Sequence, residues 1–138
     1  SARFAFNEEN SQSGFAAPLN HAAPLGVTFG DLIRSGGHTK SAEMVANNTA
    51  DITSLDAVTW ELIKRYDSFA SDLRVLERTN PTTPALPFIT SLANDPAVIR
   101  TAFATALKTL PDEQKQTLCL LGLTQIPATD YLCIPNPT

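Results

Sequence analysis

Asn7-Glu8-Glu9-Asn10-Ser11-Gln12-Ser13-Gly14 lies between an extended apolar run and a short helical one, and its reading decides the fold. The run before it, Arg3-Phe4-Ala5-Phe6, spaces its aromatic residues two apart, as a strand with one buried face does. After it, Phe15 to Ala22 carries enough Ala and Leu for a short helix. A strand that stops, a turn of small polar residues and a helix that starts aim free backbone N–H groups and the positive end of a helix dipole at one place. Ser11 and Ser13 add hydroxyl donors, and Gly14 leaves the backbone open to close approach. Such a corner suits phosphate, phosphonate or carboxylate. Ser and Asn ahead of a helix also serve as plain N-caps, worth about 1 kcal/mol with no ligand at all.

Working outward, the pattern repeats twice. Val27 to Ile33 is an apolar stretch open to either a short helix or a strand, and it ends in the turn Ser35-Gly36-Gly37-His38. Thr39 to Asn47 then reads as a helix with Ala42, Val45 and Ala46 on one face, stopped at Asn48. Asp51 to Asp56 reads as a short strand around Ile52, and Asp56 opens a helix from Ala57 to Tyr66. In that helix Val58, Leu62 and Ile63 face a core, Trp60 joins them, and Lys64 and Arg65 face water. Three successive strand-to-helix corners are what a mainly parallel open sheet produces at the carboxyl ends of its strands, the edge where such sheets bind ligands.

Beyond Asp72 the character changes. Leu73 to Thr79 reads as extended, Asn80 to Pro87 as a stiff connector with three prolines, and Phe88 to Leu92 as a strand. Asp95-Pro96 supplies an N-cap and first-turn proline for a helix reaching Leu107, with Ile99, Phe103 and Leu107 four apart. A further helix begins at Pro111-Asp112-Glu113, Gly122 to Ile126 is a strand candidate, and Pro127 to Thr138 closes as a short helix and a proline-rich tail.

With 138 residues and 43% hydrophobic content, the chain is long enough for one core of ordinary composition. Its formal net charge of -4 gives no basic field to gather nucleic acid or acidic membrane, so any anion site must be local. No run approaches the roughly 20 apolar residues of a membrane span. No leader-like segment precedes Ser1, and the chain reads as an excised or processed piece. Cys119 and Cys133 form no metal-ligand pattern with either histidine, and no cofactor or metal is expected. The two cysteines stand either as a disulfide or as two buried thiols.

Taken in order, Phe4-Ala5-Phe6-Asn7 into Asn10-Ser11-Gln12-Ser13-Gly14, Ser35-Gly36-Gly37-His38, Ala50-Asp51-Ile52 through Leu55-Asp56-Ala57-Val58-Thr59-Trp60, and Pro84-Ala85-Leu86-Pro87-Phe88-Ile89-Thr90 resemble the phosphate/phosphite/phosphonate-type solute-binding proteins of ABC transporters. The resemblance covers most of the chain. It implies an α/β fold of the type II periplasmic-binding-protein kind, whose two lobes close on a small oxyanion. It also implies a place in the periplasm or at the outer face of the cytoplasmic membrane, with an ABC permease as partner. By the same resemblance Ser11, Gln12 and Ser13 cradle the anion and His38 donates to it. Asp56 accepts from a protonated ligand oxygen or a ligand amine, or caps its helix, or both.

Family members carry a substantial segment before the equivalent of Arg3. The resemblance therefore implies one nearly complete lobe, the family's second, over residues 1–72, and the crossing segment with part of the first lobe over 73–138. A half-built lobe leaves strand edges and apolar faces uncovered, so association with another copy or exchange of elements is expected. Two other functions compete with transport. The fold also serves as an input domain of signalling proteins, and Ser13, His38 and Asp56 are the residue types of a hydrolytic triad. Ser-Gln-Ser-Gly lacks the Gly-x-Ser-x-Gly elbow, however, so the expectation is a binding protein and not an enzyme.

Overall fold

A computed structural model describes residues 1–134. The chain divides into two compact units, one holding Ser1–Thr82 and the other Thr83–Cys133.

The first unit is built on three short parallel strands. Strand β1 (Phe4–Phe6) lies between β2 (Leu32–Arg34) and β3 (Ile52–Thr53), pairing Phe4 with Leu32 on one side and with Ile52 on the other. All three residues of β1 are buried, so the Phe-Ala-Phe period expected to mark one buried face marks a strand covered on both. A central parallel strand with chain packed on each face reads this way. Phe4 stacks on Phe29 with ring centres 4.5 Å apart, and Phe6 meets Phe15 at 4.7 Å.

Each strand leads into a helix. A wide five-residue turn over Gln12–Ala16 runs straight into α1 (Ala17–Ala22), so the helical path starts earlier than Phe15. Strand β2 resolves the ambiguous apolar stretch in favour of extended chain. Helix α2 (His38–Ala46) follows it and packs on β1 and β3 through Ser41 and Ala42, both fully buried. Asn48, at φ 62°, stops it in the left-handed conformation that Asn tolerates. Helix α3 (Ala57–Tyr66) has the expected bounds, with Lys64 and Arg65 exposed. Its buried face is narrower than its apolar stripe: Ile63 is buried, Val58 is exposed, and Trp60 is half-buried with Lys64 Nζ 5.9 Å from its ring centre.

The amino ends of β1 and β3 are clamped by one ion pair. Arg3 donates through Nε and Nη2 to the two Asp51 carboxylate oxygens at 3.1 and 2.8 Å, and its backbone N–H adds a third bond at 2.7 Å. That arrangement holds the Asp51 carboxyl down at about 2.

In the second unit, α4 (Pro96–Thr109) begins where Asp95-Pro96 marked it, with Asp95 Oδ1 accepting from Ala97 N at 2.8 Å. Helices α5 (Asp112–Thr117) and α6 (Ala128–Leu132) follow. The two expected strands, Phe88 to Leu92 and Gly122 to Ile126, are irregular. A strand exists only by pairing, and no described segment pairs with either. No described residue of this unit is buried, and Leu86, Ile89, Leu92 and Leu121 are more than nine-tenths exposed. Cys119 and Cys133 are free thiols, half-buried and exposed, so neither the disulfide nor the buried pair is present. The proline-rich tail lies outside the described residues.

Candidate functional site

Strand order β2-β1-β3 sends the chain from β1 to one side of the sheet and then across it to the other. The carboxyl ends of β1 and β3 therefore flank a topological switch point, the crevice where open α/β sheets bind ligands. Three corners meet there: Asn7 to Gly14 after β1, Ser35 to His38 after β2, and Ser54 to Asp56 after β3.

Backbone and hydroxyl bonds fix the corners to one another. Ser35 N donates to Phe6 O at 2.8 Å and Gly36 N to Asn7 O at 3.0 Å, joining the second corner to the first. Gly36 turns at φ 86°, a conformation glycine adopts without a steric cost. Ser35 Oγ also lies within reach of Phe6 O, Gly37 O and, at 2.6 Å, the hydroxyl of fully buried Ser41. The third corner is tied in by Thr53 Oγ1 donating to Ala5 O and Ser54 Oγ donating to Ser13 O, each at 2.8 Å.

His38, the first residue of α2, is the meeting point. Its Nε2 lies 3.2 Å from Ser13 Oγ, 3.4 Å from Asn7 Nδ2 and 3.6 Å from Asp56 Oδ2. Three of the residues picked out by sequence, Ser13, His38 and Asp56, thus come together. Ser11 caps the turn, its Oγ accepting from Gly14 N at 3.1 Å, which leaves its own proton free to donate. Gln12 is half-buried at the first position of the turn. Asp56 caps α3 through Oδ1, accepting from Thr59 N at 2.8 Å, which is the expected cap, while Oδ2 lies toward His38.

The space above Gly14 is not open to a ligand. A methyl group there would sit 2.0 Å from Asn7 Oδ1 and 2.9 Å from His38 Cε1, so the missing side chain admits the protein's own residues. Asn7 is the site residue that sequence reasoning passed over. Its signal was position, as the first polar residue past a strand at the carboxyl edge of the sheet. Ser54 was passed over for the same reason.

The cluster is rich in hydroxyl and amide groups and contains no Arg or Lys side chain. Arg34, at the end of β2, is engaged by Glu8 through Nε and Nη2. The arrangement differs from that of a hydrolytic relay. In that device the serine and the carboxylate use opposite ring nitrogens. Here both approach Nε2, and His38 Nδ1 is buried without a partner among the described residues. No group of three or more metal-ligating side chains occurs among the described residues.

Residues 1–131 match the family described as ABC transporter, phosphonate, periplasmic substrate-binding protein. The chain belongs to that family. No curated protein and no solved structure matches it. As a phosphonate-family binding protein it is a component of an ABC transporter, with a small-molecule ligand, a permease partner and an extracytoplasmic place of work. A substrate-binding family is not an enzyme class. Among the described residues no helix is long and apolar enough to cross a membrane.

Proposed function

We propose that this chain captures a phosphonate, phosphate or phosphite at the three-corner cluster and presents it to its permease, with no chemistry performed on it. The observation that carries this reading is the convergence of Ser13 Oγ, Asn7 and Asp56 Oδ2 on His38 Nε2 at the carboxyl edge of a parallel sheet. Ser11, Gln12 and Ser13 wrap the anion with hydroxyl and backbone donors, His38 supplies a ring donor behind Ser13, and Asp56 stands at the third corner. Uncharged, fixed donors suit an oxyanion because each bond to a charged oxygen is stronger than a neutral one and needs no counter-charge nearby.

In this reading the fold is of the type II periplasmic-binding-protein kind, with residues 1–72 forming one lobe and 73–138 the crossing segment and part of the other. The exposed Leu86, Ile89, Leu92 and Leu121 support association with a second copy. A strictly monomeric species in light scattering that binds no apolar dye refutes that association.

Titration calorimetry against methylphosphonate, phosphate, phosphite and sulfate tests the function. Saturable binding of a phosphorus oxyanion is expected, weakened by about 1–3 kcal/mol in Ser11→Ala or Ser13→Ala, the cost of leaving a charged acceptor one donor short. His38→Ala is expected to weaken it as well. Unchanged affinity in all three variants removes the cluster from the binding site.

A further inference from the structure

Both carboxylate oxygens of Asp56 are used inside the protein, one on Thr59 N and one facing His38 Nε2. That ring nitrogen is also the one nearest Ser13 Oγ and Asn7. An ionised carboxylate only accepts hydrogen bonds, and a bare nitrogen lone pair facing it would be repelled, so the ring proton belongs on Nε2. The Asn7 amide fits the same volume with either end toward the ring, and with Oδ1 turned inward it accepts as well. Ser13 Oγ, the nearest of these groups at 3.2 Å, then receives the Nε2 proton, which leaves its own proton directed elsewhere. Without Asp56, Nε2 is free to act as the acceptor, and the Ser13 hydroxyl turns inward to satisfy it.

We infer that Asp56 is a positioning residue: acting through His38, it keeps the ring proton on Nε2 and thereby makes the Ser13 hydroxyl a donor for the oxyanion. This rests on the reading of Ser13 as an anion ligand given above: with its one ring proton engaged by Ser13 Oγ and Asp56, His38 acts through that hydroxyl, and Asp56 takes a role other than direct contact with the ligand.

The test is Asp56→Asn, read by long-range nitrogen NMR of the His38 ring in the ligand-free protein and by calorimetry with methylphosphonate. Asparagine caps helices as well as aspartate does, so α3 is retained. Removing a negative charge beside an anion site should by itself strengthen binding. The inference requires the reverse. Affinity falls about tenfold, the size of one lost hydrogen bond to a charged oxygen, and the ring signature shifts from protonated Nε2 toward protonated Nδ1. Asp56→Ser, another capping residue but too short to face the ring, behaves the same way.

In a Ser13→Ala background Asp56→Asn costs nothing further, because its effect passes through that hydroxyl. An unchanged ring signature, unchanged or tighter binding, or additive losses in the double variant each overturn the inference. If the unsubstituted protein binds none of methylphosphonate, phosphate and phosphite, the oxyanion reading fails, and the ring signature alone still decides whether Asp56 sets the proton.

Discussion

Replacing Gly14 with alanine puts one methyl group where Asn7 and His38 meet the turn after β1. The added carbon would lie 2.0 Å from Asn7 Oδ1, 2.9 Å from Asn7 Cγ and 2.9 Å from His38 Cε1. Carbon contacts settle at roughly 3.5–4.0 Å, so the Asn7 amide must swing out and the imidazole must shift. Overfilling of this kind costs about 1–3 kcal/mol. Alanine returns about 1 kcal/mol in a helical position, since Gly14 does not occupy the left-handed region. The balance is a loss of about 1 kcal/mol of stability. Urea unfolding followed by Trp60 fluorescence measures it. Adding Asn7→Ala removes the nearest obstacle, so the double variant should be more stable than the simple sum of the two substitutions. A Gly14→Ala protein about 1 kcal/mol more stable than the parent, as an unobstructed helical position gives, refutes the close packing of Asn7 and His38 on this turn.

Three further outcomes follow from the same structure. Asp51 is held at about 2, below its ordinary 3.8, first by the Arg3 guanidinium and then by the Arg3 backbone N–H. With the folded value below the unfolded one, its stabilisation is complete above about pH 3.8 and is lost as pH falls toward 2. Asp51→Asn should therefore flatten the acid limb of a circular-dichroism stability curve in that window and leave its shape at higher pH alone. Ser35→Ala takes the 2.6 Å partner from fully buried Ser41 and should cost about 1–3 kcal/mol in urea unfolding. Asp95→Ala removes the cap on α4 and should lower its stability by about 1 kcal/mol, seen as faster amide exchange over the first turn.

The first unit was legible in sequence because each of its strand ends carries its own local signal. Ser11, Gly36 and Asp56 are chemically suited to a turn or a cap, and those signals need no knowledge of distant contacts. The coming together of Ser13, His38 and Asp56 followed from the parallel topology alone. What the sequence hid was long-range. Nothing local distinguishes a strand with one covered face from one with two, so Phe4-Ala5-Phe6 was read too simply. Phe88 to Leu92 and Gly122 to Ile126 have strand composition, but composition supplies no partner, and without one they stay irregular. Asn7 had only its place at the strand end as a signal, because its packing against the turn depends on the gap at Gly14, which only the packed structure reveals.

The central claim is that three corners share one oxyanion, and an amide NMR titration with methylphosphonate tests it most directly. The account predicts that the signals of Ser13, Gly14, His38 and Ser54, drawn from all three corners, move along a single saturable curve. Shifts confined to one corner, or none that saturate, would contradict it.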